Sequence, residues 1–293
     1  MSRTPRTRLT TARHAEWLLA QTDQLAGLVE GVDGVDLGRP VPTCPDWNLR
    51  QLVEHIGRGH RAGLDLIRDG VTGPVSADPG SIPVPGDDEL PGWLRDGARD
   101  LVDTVASAGP ERPVWNYLGV DLHAGFWVRR MAHDTAVHRF DASLVVGRPL
   151  SRGAGAGAEP VADPAAGLGA DPAAERDVDL AADGVSEWLM VVTSPGAAAL
   201  KPDVGVAIRG TGQTLHLHAT DGAGLGDSGG WIIRRDPGGA SWRHGHGRAD
   251  VEVHGRAFDL LLALLGRIGL TDDRLGISGD RSLIEHWVRH VVF

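Results

Sequence analysis

Cysteine and lysine are each present once in 293 residues. The lone thiol, Cys44, excludes an intramolecular disulfide and fits a reducing compartment, so a cytoplasmic location is the expectation. Lys201 is the only lysine, so every other basic residue apart from histidine is arginine. Set beside an abundance of Ala and Gly, that is a compositional bias of the source rather than a mechanism. No apolar run approaches the roughly 18 residues that a membrane span needs. The basic start, "MSRTPRTRLTTARHAEWLLAQ", has no continuous apolar stretch, so neither a signal peptide nor a membrane helix is expected. A basic surface is also missing. The formal charge is -10 and the pI is near 5.7, which argues against a general nucleic-acid binder. What remains is a globular composition, 41% apolar and 23% charged, on a chain long enough for two domains.

The first half reads as helices. "HAEWLLAQTDQLAGLVE" (14–30) repeats its apolar residues at helical spacing. A second helix starts after "TCPDW", where Asn48 and Gln51 have the spacing of a capping box, and runs to about Asp69. A Pro- and Gly-rich loop, 70–86, precedes a third helix that opens on acidic residues, as the macrodipole favours. A fourth covers about 122–146. Four helices around one core predict a bundle over 1–150. Residues 151–177 are small, Pro-rich and aperiodic, as in a linker, and their "GAGAGAE" lacks the strand and helix that a phosphate loop needs. A connecting helix is expected over 178–198 and an α+β domain over 199–293. In that domain "VGVAIRG" and "QTLHLHATD", joined at "GTG", read as a hairpin, "GWIIRRD" and "ADVEVHG" as two more strands, and "RAFDLLLALLGRIG" and "SLIEHWVRH" as helices.

The stretch "RRMAHDTAVHRFDASLVV" (129–146) raises a question of cost. Asp134 and His138 stand about 40° apart on a helix, inside an arc shared with Trp127, Met131, Val137 and Val145. Buried charge is expensive unless paired, hydrogen-bonded or bound to metal. His55 lies on the apolar face of the second helix, where Gly59 and Ala62 permit a close neighbour. Two imidazoles and a carboxylate are the usual protein share of a catalytic zinc site with an open position. The spacing alone more often marks a local hydrogen bond or ion pair, and a lone core histidine is more often packed than ligating. Arg130, one turn before Asp134, reads as the ion pair that fixes it, and Asp141 lies beyond on the same side. His60 and His133 fall toward the edges of their helices. His244 and His246 read as exposed strand histidines.

The segments "VPTCPDWNLRQLVEHIGRGH" and "RRMAHDTAVHRFDA", with "ADVEVHGRAFDLLLALLGR" near the end, resemble the mycothiol-dependent maleylpyruvate isomerase family. The resemblance runs over nearly the whole chain. It implies a DinB-like four-helix bundle followed by a small sterol-carrier-like α+β domain. It implies metal ligands at His55, Asp134 (often glutamate in the family) and His138, and a functional arginine at Arg267, whose position also suits a cation at a helix C-terminus. It implies mycothiol as thiol co-substrate. Zinc is the default metal, although iron and other divalent ions suit the same donors. A metal-bound thiol would lose its proton near neutral pH and add to an electron-poor carbon, giving cis–trans isomerisation or S-transfer. The alternatives are a hydrolase that uses metal-bound water and a non-catalytic protein that binds metal or a small ligand. A monomer or small homo-oligomer is expected. Cys44, eleven residues before His55, would lie about 15 Å from the metal along a straight helix, unless a loop folds it back.

Overall fold

The computed structural model describes residues 9–30, 36–76, 78–147 and 177–292. They fall into two compact units. One comprises 10–116 and 121–147, and the other 117–120 and 177–292 together with Leu9, each where described.

The first unit is helical. α1 (Thr11–Glu30) buries Trp17, Leu18, Gln21, Leu25 and Ala26, a stripe at three- and four-residue spacing. α2 (Leu49–Arg68) begins at the expected capping box. Asn48 accepts from the Gln51 backbone N–H, and the Gln51 side chain accepts from the Asn48 N–H, both at 2.9 Å. α3 (Leu90–Ala108) is preceded by a single 3-10 turn, Asp87–Glu89, so the acidic run leads into the helix rather than forming its first turn. α4 (Ala124–Val146) is buried on nearly every side, as the central helix of a bundle must be. It packs on α1 and α2, which in turn pack on α3. The contact of α2 with α4 depends on small residues. A Cβ at Gly63 would stand 2.9 Å from the Trp127 ring, and one at Gly59 3.0 Å from the Met131 sulfur. Leu25, Leu49, Leu52, Val53, Ile56, Leu94 and Val145 form the core at one end.

A short antiparallel pair, β1 (Pro40–Val41) and β2 (Cys44–Asn48), was not expected. It turns the chain back at Pro42-Thr43 before α2 begins, with Val41 opposite Cys44.

The second unit contains α5 (Val178–Thr193), α6 (Pro195–Leu200), α7 (Pro202–Ala207), β3 (Thr214–Ala219), β4 (Gly230–Asp236), β5 (Gly239–His244), β6 (Val251–Gly255), α8 (Ala257–Leu264), β7 (Gly276–Gly279) and α9 (Arg281–His290). Its sheet has the order β5-β4-β3-β6-β7. Only β3 and β6 pair in parallel. Leu215, Leu217, Trp231, Ile233, Val251 and Val253 form the inner face, and α8 packs on β3 and β6. The stretch "VGVAIRG" is not a strand. Val204–Ala207 belong to α7, where Pro202 sits at the first helical position and fixes φ for a helix start. The "GTG" segment therefore joins a helix to β3 and makes no hairpin. β7 was not expected, and β5 contains His244 of the expected strand histidines but ends before His246. Residues 148–176, the greater part of the expected linker with its "GAGAGAE", lie outside the described residues. Among the described residues, no helix is long and apolar enough to cross a membrane.

Candidate metal centre

His55, Asp134 and His138 come together on the facing sides of α2 and α4. One donor atom from each lies within 4.8 Å of the other two. His55 Nε2 is 3.3 Å from Asp134 Oδ2, and the two imidazole rings meet edge-on at 5.2 Å. The cluster stands at the bundle's margin. The His55 side chain is 42% exposed, Asp134 14%, and His138 is buried. The expected apolar arc is therefore right for α4, while His55 borders solvent.

Each donor on α4 has its own support. The Arg130 guanidinium donates to Asp134 Oδ1 at 2.5 Å, leaving Oδ2 turned to His55. Asp141, fully buried, takes His138 Nδ1 at 2.9 Å on its Oδ2. That fixes the proton on Nδ1 and leaves Nε2 as a lone pair, the arrangement in which a carboxylate orients a ligating histidine. Asp141 also accepts from the Thr43 hydroxyl at 2.6 Å and the Cys44 thiol at 3.7 Å. Cys44 thus belongs beside the cluster rather than about 15 Å away, because β1 and β2 reverse the chain ahead of α2. No helical arithmetic could show this. The ring of Trp47, on β2, packs at a tilt 4.8 Å from the His55 ring and 5.7 Å from the His138 ring, an apolar wall beside both. No local pattern in the sequence marks it.

Burial works against the charged form of Asp134, but Arg130, the hydrogen bond from His55 and the His138 ring outweigh it and hold the carboxyl well below the usual range. An ionised carboxylate beside two imidazoles, one with its free nitrogen defined, is a donor set that fits a divalent ion of the zinc or iron type.

A family model described as the mycothiol maleylpyruvate isomerase N-terminal domain matches residues 18–143. The corresponding C-terminal domain model matches 179–286. The chain belongs to the mycothiol-dependent maleylpyruvate isomerase family. A crystal structure of a mycothiol-dependent maleylpyruvate isomerase variant shares the fold, at 15% identity and a TM-score of 0.54, over 94% of this chain and 96% of that one. A sec-alkylsulfatase, Pisa1 from Pseudomonas sp., aligns over 80% of this chain and 43% of its own at 16% identity, with a TM-score of 0.26. No curated protein matches the sequence.

In this isomerase-family chain Arg267 lies three residues beyond the end of α8. It is half-buried, and its guanidinium donates to the Leu265 carbonyl at 2.8 Å, as a cation at a helix C-terminus does. His60 and His133 are not edge residues, since both are buried. His60 spans α2 to α4 through Thr135 Oγ1 at 3.1 Å. Burial, then Arg61, pushes its pKa down to about 4, so it is a neutral core histidine. The rings of His133 and His14 meet at 5.8 Å.

Proposed function

We propose that the chain is a mycothiol-dependent isomerase of a small, electron-poor cis-alkene acid, with a divalent metal, zinc by default, held by His55, Asp134 and His138. The observation that carries this reading is the convergence of those three donors with Arg130 and Asp141 behind them. Mycothiol and the reaction class come from family membership. A divalent cation would supply Lewis acidity, which lets a thiol give up its proton near neutral pH. The protein's part is to keep Asp134 ionised through Arg130, to hold the His138 tautomer through Asp141, and to exclude water from one side with Trp47. The exposed edge at His55 is the side from which thiol and substrate enter. Arg267 pairs with the substrate carboxylate, a role carried over from the family. The thiolate adds to the conjugated carbon, the former double bond rotates, and the thiolate leaves, so that thiol and proton are regenerated. S-transfer is the same addition without expulsion.

The test joins elemental analysis to an assay of maleylpyruvate with and without mycothiol. Wild type should contain metal and turn over only with thiol. His55→Ala and His138→Ala should lose both metal and activity while keeping helical circular dichroism. Full metal content in both variants would overturn the ligand set. Turnover without any thiol would remove mycothiol from the mechanism, and if Cys44→Ser also stayed active the reading would pass to hydrolysis by metal-activated water.

A further inference from the structure

A second group of imidazoles lies in the sheet unit, on the face turned away from its core. His216 and His218 alternate with the inward Leu215 and Leu217 along β3, so both point outward. His246, just after β5, joins them. One nitrogen from each of His216, His218 and His246 lies within 4.8 Å of the others. This approach is built into the backbone. Gly230 on β4 pairs directly with His218, and a Cβ there would stand 2.6 Å from the His246 ring. Only glycine leaves room for that ring. Gly245 precedes it at φ +133°, a conformation that favours glycine.

The nitrogens are also oriented. His246 Nε2 is 3.3 Å from the Gly226 carbonyl, so it carries the proton and leaves Nδ1 as a lone pair. That Nδ1 is 3.3 Å from His218 Nδ1. Two imidazole nitrogens about 2.0–2.1 Å from one tetrahedral metal are separated by about 3.3 Å. His216 is 6% exposed, and neither of its ring nitrogens has a hydrogen-bond partner among the described residues. A buried polar pair without partners is rare unless something else satisfies it. Burial lowers the pKa of His216, with His246, His218 and His254 adding to it against the pull of Glu252. Burial and the neighbouring imidazoles lower His218 too. His244 is not part of the group. It pairs with inward Trp231, and its Nδ1 is 3.3 Å from the Gly230 carbonyl. His254 flanks the group, its ring 5.6 Å from His218.

We infer that His216, His218 and His246 form a second divalent-metal site, three imidazoles with an open position, suited to zinc, copper or nickel. It is independent of the centre on α2 and α4. A second metal site was the minor alternative for His244 and His246, but the partners of His246 are not local: it is 28 residues from His218 and reaches it through the register of β3, β4 and β5.

The test is equilibrium dialysis of untagged, full-length protein against low-micromolar zinc, with bound metal measured per chain. Wild type should hold two zinc ions, His55→Ala/His138→Ala one, His218→Ala/His246→Ala one, and the fourfold variant none. His246→Gln removes a single exposed ligand and should weaken the second site with an unchanged melting temperature of the metal-free protein. If His218→Ala/His246→Ala and His246→Gln, both folded, bind as much zinc as wild type, the inference is wrong and the cluster is a hydrogen-bonded histidine pair. Failure of the bundle site alone would leave wild type and His55→Ala/His138→Ala equal, with one zinc still lost in His218→Ala/His246→Ala.

Discussion

Replacing Asp141 separates two contributions to the bundle centre that a ligand substitution would mix. Asp141 touches no metal in the proposed arrangement, and acts on His138 Nδ1 at 2.9 Å. In Asp141→Asn the amide can turn its NH2 toward Thr43, whose hydroxyl rotates to accept, and keep its oxygen on His138. The tautomer survives and only the charge is lost. A hydrogen bond to a charged group contributes about 1.5–3 kcal/mol and a neutral one about 0.5–1.5, so the loss is about 1–1.5 kcal/mol. At 1.4 kcal/mol per tenfold, zinc affinity should fall about 5- to 12-fold. Asp141→Ala removes the acceptor altogether. His138 Nδ1 is then unsatisfied and the ring is free to take the other tautomer, with Nε2 protonated. The fall should approach the upper end of the 10- to 100-fold seen for such supports. Competition with a chromophoric chelator measures both, and melting of the metal-free variants shows how much is general destabilisation. Asn and Ala variants with wild-type affinity, or an Asn variant weaker than the Ala, would refute the tautomer argument.

Cys44→Ser should keep most thiol-dependent turnover, since a serine hydroxyl can also donate to Asp141; a folded but dead variant, with a wild type that needs no thiol, would make Cys44 the nucleophile. Arg267→Ala should raise KM for an acid substrate while leaving metal content unchanged; a lower melting temperature with unchanged kinetics would leave it as a helix-end cation. His60, with a folded pKa of about 4 against 6.5, binds its proton more readily in the unfolded chain. Its contribution to stability is therefore present above pH 6.5 and is lost as pH falls toward 4, by about 3 kcal/mol at about 1.36 kcal/mol per pH unit. Urea unfolding of the metal-free protein at pH 7 and pH 4.5 should show this slope, flattened in His60→Gln; an equal slope in both would refute it.

The features that could be read along the chain are those that depend on local periodicity. The capping box at Asn48 and Gln51, the stripe of α1 and the i,i+4 pair on α4 are all set within one helix. His55 was placed with them on its helix's apolar face, although its side chain borders solvent. Prediction failed where distant segments decide. Cys44 reached Asp141 through the β1–β2 reversal, and its neighbour Trp47 became a wall of the site by the same turn. "VGVAIRG" has the alternation of a strand, but Pro202 and the short spacing to β3 favour a helical turn. His60 sits on the seam of two helices, which a helical wheel shows only as an edge. The outer-face histidines needed a sheet order and register that no single strand contains.

Trp47 has an optical consequence. Its indole packs against the two imidazoles proposed to hold the metal, so its excited state is quenched or released by whatever occupies them. Nine tryptophans would ordinarily blur such a signal, but the difference spectrum between wild type and Trp47→Phe isolates it. The centre therefore has its own fluorescent gauge, by which the arrival of metal, thiol and substrate could be timed separately in a stopped-flow mixer without attaching a label.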